Sequence, residues 1–272
     1  MSRPRAASRP FAVFIGIVCV LFLAQAIERN TPLFTEVLTK SRISIFASLA
    51  KLAPQFLGSI FAARCAQRYE KGNAARRGWL FLSGWLGFWF AGQTVLATYE
   101  RITGVPIPIP SLGDFFFTIG YVLVIIALFS FAIAYRRSGF APGSAREDGL
   151  VTLGACAMFG VVAYFTLLPV ALSPTPIGER IVNVGYPLLD LVTLIPVLVL
   201  LRITVGFRGG QVWRVWAALL AGIIFATGGD VVFADLTPAH LEATGPFADL
   251  FYILGYSFCA YGMRLQYELV SD

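Results

Sequence analysis

Apolar residues along the chain come in long unbroken runs separated by short polar stretches. Eight runs can be read, at residues 11–27, 41–63, 78–98, 115–135, 149–172, 184–201, 215–235 and 247–263. Each lies near the ~20 residues that cross about 30 Å of hydrocarbon at ~1.5 Å rise per residue. A membrane strand needs only about ten residues and alternates apolar with polar. The pattern therefore predicts an all-α polytopic membrane helix bundle of about eight transmembrane helices, forming one integral membrane domain over residues 1–272.

Composition agrees with this pattern. Hydrophobic residues make up 57% of the chain and charged residues 13%, against about 25% charged in a soluble domain. So few charges cannot cover a water-facing surface, and a lipid-facing surface needs none. The net charge of +6 raises nucleic acid as a partner. The basic residues instead flank apolar runs, which points to membrane orientation and to the lipid bilayer.

Orientation follows from those residues. With the N-terminus placed in the cytoplasm, the inner segments hold fifteen of the 21 Lys and Arg, including Arg64, Arg68, Lys71, Arg76 and Arg77 in one linker. Both termini are then cytoplasmic and the location expected is the cell inner membrane. Trp79, Trp213 and Trp216 fall at inner boundaries, where indole favours the headgroup layer. A second reading applies to the first run: three arginines, an apolar core and Ala24-Gln25-Ala26 also resemble a cleavable signal peptide, which would leave seven spans. Cys19, Cys65, Cys156 and Cys259 have no metal-ligand spacing and read as small core or lipid-facing residues.

The chemistry lies in a short repeat at the outer ends of three runs. Pro110-Ser-Leu-Gly-Asp114 is followed by Gly120-Tyr121. Pro246-Phe-Ala-Asp249 is followed by Gly255-Tyr256 at the same distances. Tyr186-Pro187-Leu-Leu-Asp190 has Pro196 in place of the glycine. A carboxylate in the first turn of a helix is stabilised by the helix dipole, and Asp114 and Asp249 can be read simply as caps. Gly or Pro one and a half turns deeper permits close helix approach or a kink. The seventh run brings Asp230 to the same level. Asp190, six residues past Val184, and Asp230 are flanked by apolar residues, and acids so placed face a bundle interior or a water-filled cavity. The pocket candidates are Asp114, Asp190, Asp230, Asp249, Tyr121, Tyr186, Tyr256 and Lys51, with Tyr252 beside them. Lys51, followed by Pro54 and Gln55, is expected to pair with Asp190 or Asp230, or else to snorkel. Gln93 and Thr94 add polar groups nearby. His240, near Asp235 and Glu242, reads as a solvated loop residue before a metal ligand. No catalytic residue, metal site or cofactor is assigned.

These motifs resemble the multi-helix N-terminal membrane sensor region found ahead of GGDEF, EAL or histidine-kinase output in bacterial signalling proteins. The resemblance covers about residues 110–263, and the first hundred residues only by layout. It implies sensing or ligand reception. No output domain is read within residues 1–272, so the expected output comes from a separate cytoplasmic signalling protein or from a part of the gene absent here. Gly228-Gly229-Asp230 is not a GGDEF active loop, because Val-Val follows it within an apolar run. Two alternatives stand beside a sensor. One is a lipid hydrolase, since the layout is similar to the lysoplasmalogenase family, whose hydrolysis uses acidic residues. The other is a structural or assembly subunit of a larger membrane complex. A retinal protein is set aside, since no lysine lies in the third to eighth runs, and P-loop, zinc and nucleophile-elbow motifs are absent.

Overall fold

A computed structural model describes residues 10–11, 13–18, 20, 40–105, 107–139, 145–162, 164, 167–234 and 241–271. The described residues form helices and connecting turns, with no strand among them. After a helical stretch at residues 13–18 come α1 (Lys40–Gln67), α2 (Ala74–Thr103), α3 (Leu112–Arg137), α4 (Ala145–Val162), the single turn α5 (Leu168–Ala171), α6 (Ile177–Val205), α7 (Gln211–Ala234) and α8 (Leu241–Ser271). Four of these, α2, α3, α6 and α7, are long and apolar enough to cross a membrane. Helix α1 carries Lys51, α4 opens on Arg146, Glu147 and Asp148, and α8 carries Asp249 and three tyrosines within its expected span.

Local chemistry sets the helix ends. Asn73 accepts a hydrogen bond from the Ala75 N–H at 2.8 Å and caps α2. Gly104 ends that helix in the left-handed region, with φ of 70° and its N–H on the Glu100 carbonyl. Only glycine takes that conformation without steric cost. Ser111 and Asp114 form a reciprocal capping box at the start of α3, the arrangement that satisfies two orphan N–H groups together.

Contacts fix the relative directions of the helices. Ser59 of α1 bonds Ser83 of α2, Trp89 of α2 reaches the Phe117 carbonyl of α3, and Trp216 near the start of α7 meets Tyr135 near the end of α3. Lys51 and Cys65 of α1 meet Asp249 and the Met263 carbonyl of α8, so those two helices run parallel. Arg202 at the end of α6 pairs with Glu147 at the start of α4. One end of the bundle therefore gathers the starts of α1, α3, α6 and α8 with the ends of α2 and α7. The opposite end carries Arg64, Arg68, Arg76, Arg77, Arg136, Arg137, Arg208 and Arg214.

The core is aromatic. Trp79, Leu82, Trp85, Leu86 and Trp89 form the buried face of α2, the i, i+3, i+7 spacing of a packed helix face. Trp79 meets Phe131 edge-on, and Trp89 meets Tyr121 and Tyr256. Helices α7 and α8 approach at backbone distance: a Cβ on Gly222 would lie 2.6 Å from the Gly255 carbonyl oxygen, and one on Gly255 2.9 Å from the Ala226 nitrogen. Small residues make such crossings possible where lipid supplies no hydrophobic force between helices. Outward faces are apolar. Val122, Ile126, Phe129 and Ile133 line one exposed stripe of α3, as a lipid contact requires.

Two sequence expectations change. Trp79 and Trp216 lie at the expected level but are each only 2% exposed. They face the interior, because a wall of Phe131 and Tyr135 offers indole more contact than an interface does. Helix α6 starts at Ile177, not near Val184, because Glu179 and Arg180 join its first turn.

Candidate carboxylate–tyrosine site

The earlier start of α6 moves Asp190 to thirteen residues from the helix end, roughly 20 Å along the axis rather than 9 Å. There it is 5% exposed and meets α3 and α7. Tyr121 of α3 places its hydroxyl 3.0 Å from Asp190 Oδ1 and also on Asp230 Oδ2. Thr227, one turn before Asp230 on α7, donates to Asp190 Oδ1 at 3.1 Å. Tyr252 of α8 donates to Asp230 Oδ1 at 2.5 Å. A Cβ on Gly229 would sit 2.8 Å from the Tyr252 ring, so the glycine preceding Asp230 is what lets that ring lie flat on α7. Gly120 plays the same part for Trp89, whose indole would be 2.1 Å from an added Cβ. The glycines of the repeated motif therefore admit neighbouring rings or backbones.

The other candidates sort into neighbouring groups. Asp114 caps α3 and accepts from the Tyr186 hydroxyl at 2.6 Å. Tyr186 in turn stacks on Tyr121, with ring centroids 5.9 Å apart, so this cap borders the Asp190–Asp230 pair. Tyr256 is buried and stacks on Tyr252. Lys51 pairs with Asp249 at 2.7 Å, not with Asp190 or Asp230 as expected. Asp249 is not a cap either: α8 begins eight residues earlier, at Leu241, and the carboxylate answers the ammonium of α1 instead. Pro54 lies inside a continuous α1. Thr94 donates back to the Phe90 carbonyl of its own helix and takes no part in the site. His240 and Asp235 lie outside the described residues.

Two participants were not among the sequence candidates. Thr227 sits at i−3 from Asp230, the spacing that shares a helix face, and that signal was available. Gln55 was read only as a companion to Pro54. It is wholly buried, and neither its amide oxygen nor its nitrogen has a hydrogen-bond partner among the described residues. Asp190 Oδ2 is likewise buried without a partner. Buried polar atoms without partners are rare.

No family model, curated protein or solved structure matches the chain.

Two carboxylates, Asp190 and Asp230, are enclosed by hydroxyls from α3, α7 and α8. Among the described residues there is no group of three or more His, Cys, Asp or Glu placed to hold a metal ion. Near the basic end lies a separate cavity of about 280 Å³, lined by Tyr69, Trp79, Phe131, Tyr135, Trp216 and Gln266 among others. Gln266 donates to Tyr69 at 3.0 Å and Trp216 to Tyr135 at 2.6 Å. Burial is the main influence on the loop residue Tyr69 and raises its phenol above the ordinary value.

Proposed function

We propose that the chain is a multi-pass membrane sensor or ligand-binding module of the inner membrane, crossing it about eight times with both termini cytoplasmic. The carboxylate–tyrosine cluster is its ligand site, and a separate cytoplasmic protein is its output. The observation that carries this reading is the convergence of Asp190 and Asp230, from different helices, on the single hydroxyl of Tyr121, with Asp190 Oδ2 buried and without a partner among the described residues. A polar network in a lipid-embedded core is costly to assemble and marks a functional site by default. The arginine-rich end supports the orientation, since arginines are retained on the cytoplasmic side. The cluster then faces outward.

The coupling is mechanical. Any occupant that changes the Asp190–Asp230 contact changes the fit of α6 and α8 against α7. Helices α7 and α8 run from the cluster to the basic end, where Trp216 and Gln266 line the second cavity. An occupant acts only through its differential affinity for two packings.

The test is the melting temperature of the full chain in lipid nanodiscs across pH and with added small protonated amines. The wild type should shift, and Asp190→Asn with Asp230→Asn should abolish the shift. Identical responses in both would overturn the reading. A lipid hydrolase is the second reading, favoured by the same contact, because two adjacent carboxylates can divide acid and base roles. Release of fatty acid or aldehyde from a lysophospholipid or lysoplasmalogen, lost in Asp190→Asn, would select it.

A further inference from the structure

The hydrogen bonds around the acid pair leave one proton unaccounted for. Tyr121, Thr227 and Tyr252 each carry one hydroxyl proton, yet together they make four contacts with the two carboxylates. A phenol donates only one hydrogen bond, so Tyr121 cannot donate to both acids. Asp190 Oδ2, on a residue 5% exposed, also finds no donor among the described residues. Both carboxyl groups contact the same Tyr121 oxygen, a proximity that two bare carboxylates would resist.

We infer that Asp190 and Asp230 share a single proton, and that this proton is the ligand to which the module responds. The inference deepens the sensor reading and rests on it. One carboxyl proton supplies the missing fourth donor: the acid that holds it donates to the Tyr121 hydroxyl, which links it to the other acid. Tyr121 then donates to one acid and accepts from the other. Among the described residues no cation takes that place. On α1, Lys51 is held by Asp249 of α8, with Glu100 of α2 beside that pair. Arg180 of α6 bonds the Ala171 carbonyl, and Arg101 is exposed. The remaining groups facing the pair are neutral: Tyr121 from α3, Thr227 from α7, and Tyr252 and Tyr256 from α8. Asp114 borders it through Tyr186. When pH rises through the titration of the pair, the carboxyl O–H bond breaks and the proton passes to water. Two like charges then face each other across α6 and α7 and drive the helices apart.

Infrared absorption of the full chain in nanodiscs counts carboxylic acids through the C=O stretch of the protonated group. At neutral pH, Asp190→Asn and Asp230→Asn should each remove the signal of one acid, and the double variant should remove no more than either single variant. Raising the pH should abolish the same signal in the wild type. No loss in any variant would mean that both groups are ionised, and a double variant losing two would mean two independent acids; either overturns the shared proton. If the Asn variants do not fold, Tyr252→Phe keeps both acids and must shift the frequency of the signal, whereas an unshifted band overturns the assignment. A failed proton count with a site-dependent melting shift would leave the sensor reading standing with another ligand. A correct count with no such shift would do the reverse.

Discussion

The hydroxyl of Tyr121 touches both Asp190 and Asp230, so one oxygen of α3 joins α6 to α7. Removing it should be felt at both carboxylates. Tyr121→Phe keeps the ring contacts with Trp89 and Tyr186 but withdraws the hydroxyl, at a cost of about 1–3 kcal/mol for a buried acceptor left without a donor. Denaturant titration in detergent should record that loss. Thr227→Val should cost less, about 1 kcal/mol, because it removes a single 3.1 Å hydrogen bond.

The Lys51–Asp249 pair is the second polar tie, between α1 and α8. Its ammonium is 13% exposed and its carboxylate 41%, so solvent screens it in part. Lys51→Met should destabilise more than Lys51→Met combined with Asp249→Asn, because the single change strands a carboxylate. A double-mutant cycle by thermal melting should give a coupling of roughly 1 kcal/mol.

Close helix approach makes a sharper prediction. Gly255→Leu should separate α7 from α8 and cost roughly 2 kcal/mol or more through overpacking, since even a Cβ at that position lies 2.9 Å from the Ala226 nitrogen. Gly185→Ala has nothing within 4 Å of its added Cβ and should leave the melting temperature unchanged within experimental error.

Much of the architecture was legible in the sequence and some of the site was not. The helical class follows from run length, and the order of the runs puts Asp114, Asp230 and Asp249 in one half of the bundle, whereas Asp190 lies near the middle of α6. The partner of Lys51 was not readable, because sequence spacing within α1 carries no information about which of several acids α8 or α6 presents to it. The start of α6 was missed because Glu179 and Arg180 interrupt hydropathy without interrupting the helix. The inward turn of Trp79 and Trp216 was missed because composition gives the level of a residue along a membrane normal but not the side of the helix on which it packs. Gln55 gave no signal beyond its polarity; its burial depends on α8 lying parallel to α1.

Cysteine chemistry tests the lipid-facing surface. Cys65 and Cys259 are buried and Cys156 is exposed on α4. In a Cys19→Ser background, a lipid-soluble thiol reagent should label Cys156 first, and a membrane-impermeant charged reagent should label none of the three in intact membranes. Rapid labelling of Cys156 by the charged reagent would place α4 in water.

The coupling between the acid pair and the basic end has one direct measurement. Spin labels at Lys71 and Arg208, both exposed at that end, report the spacing of the α1–α2 turn and the α6–α7 turn in lipid. Raising the pH through the titration of the pair should change the distance distribution in the wild type, and Asp230→Asn should hold it fixed at the low-pH value. A distribution that ignores pH in the wild type, or that moves equally in Asp230→Asn, would contradict the account.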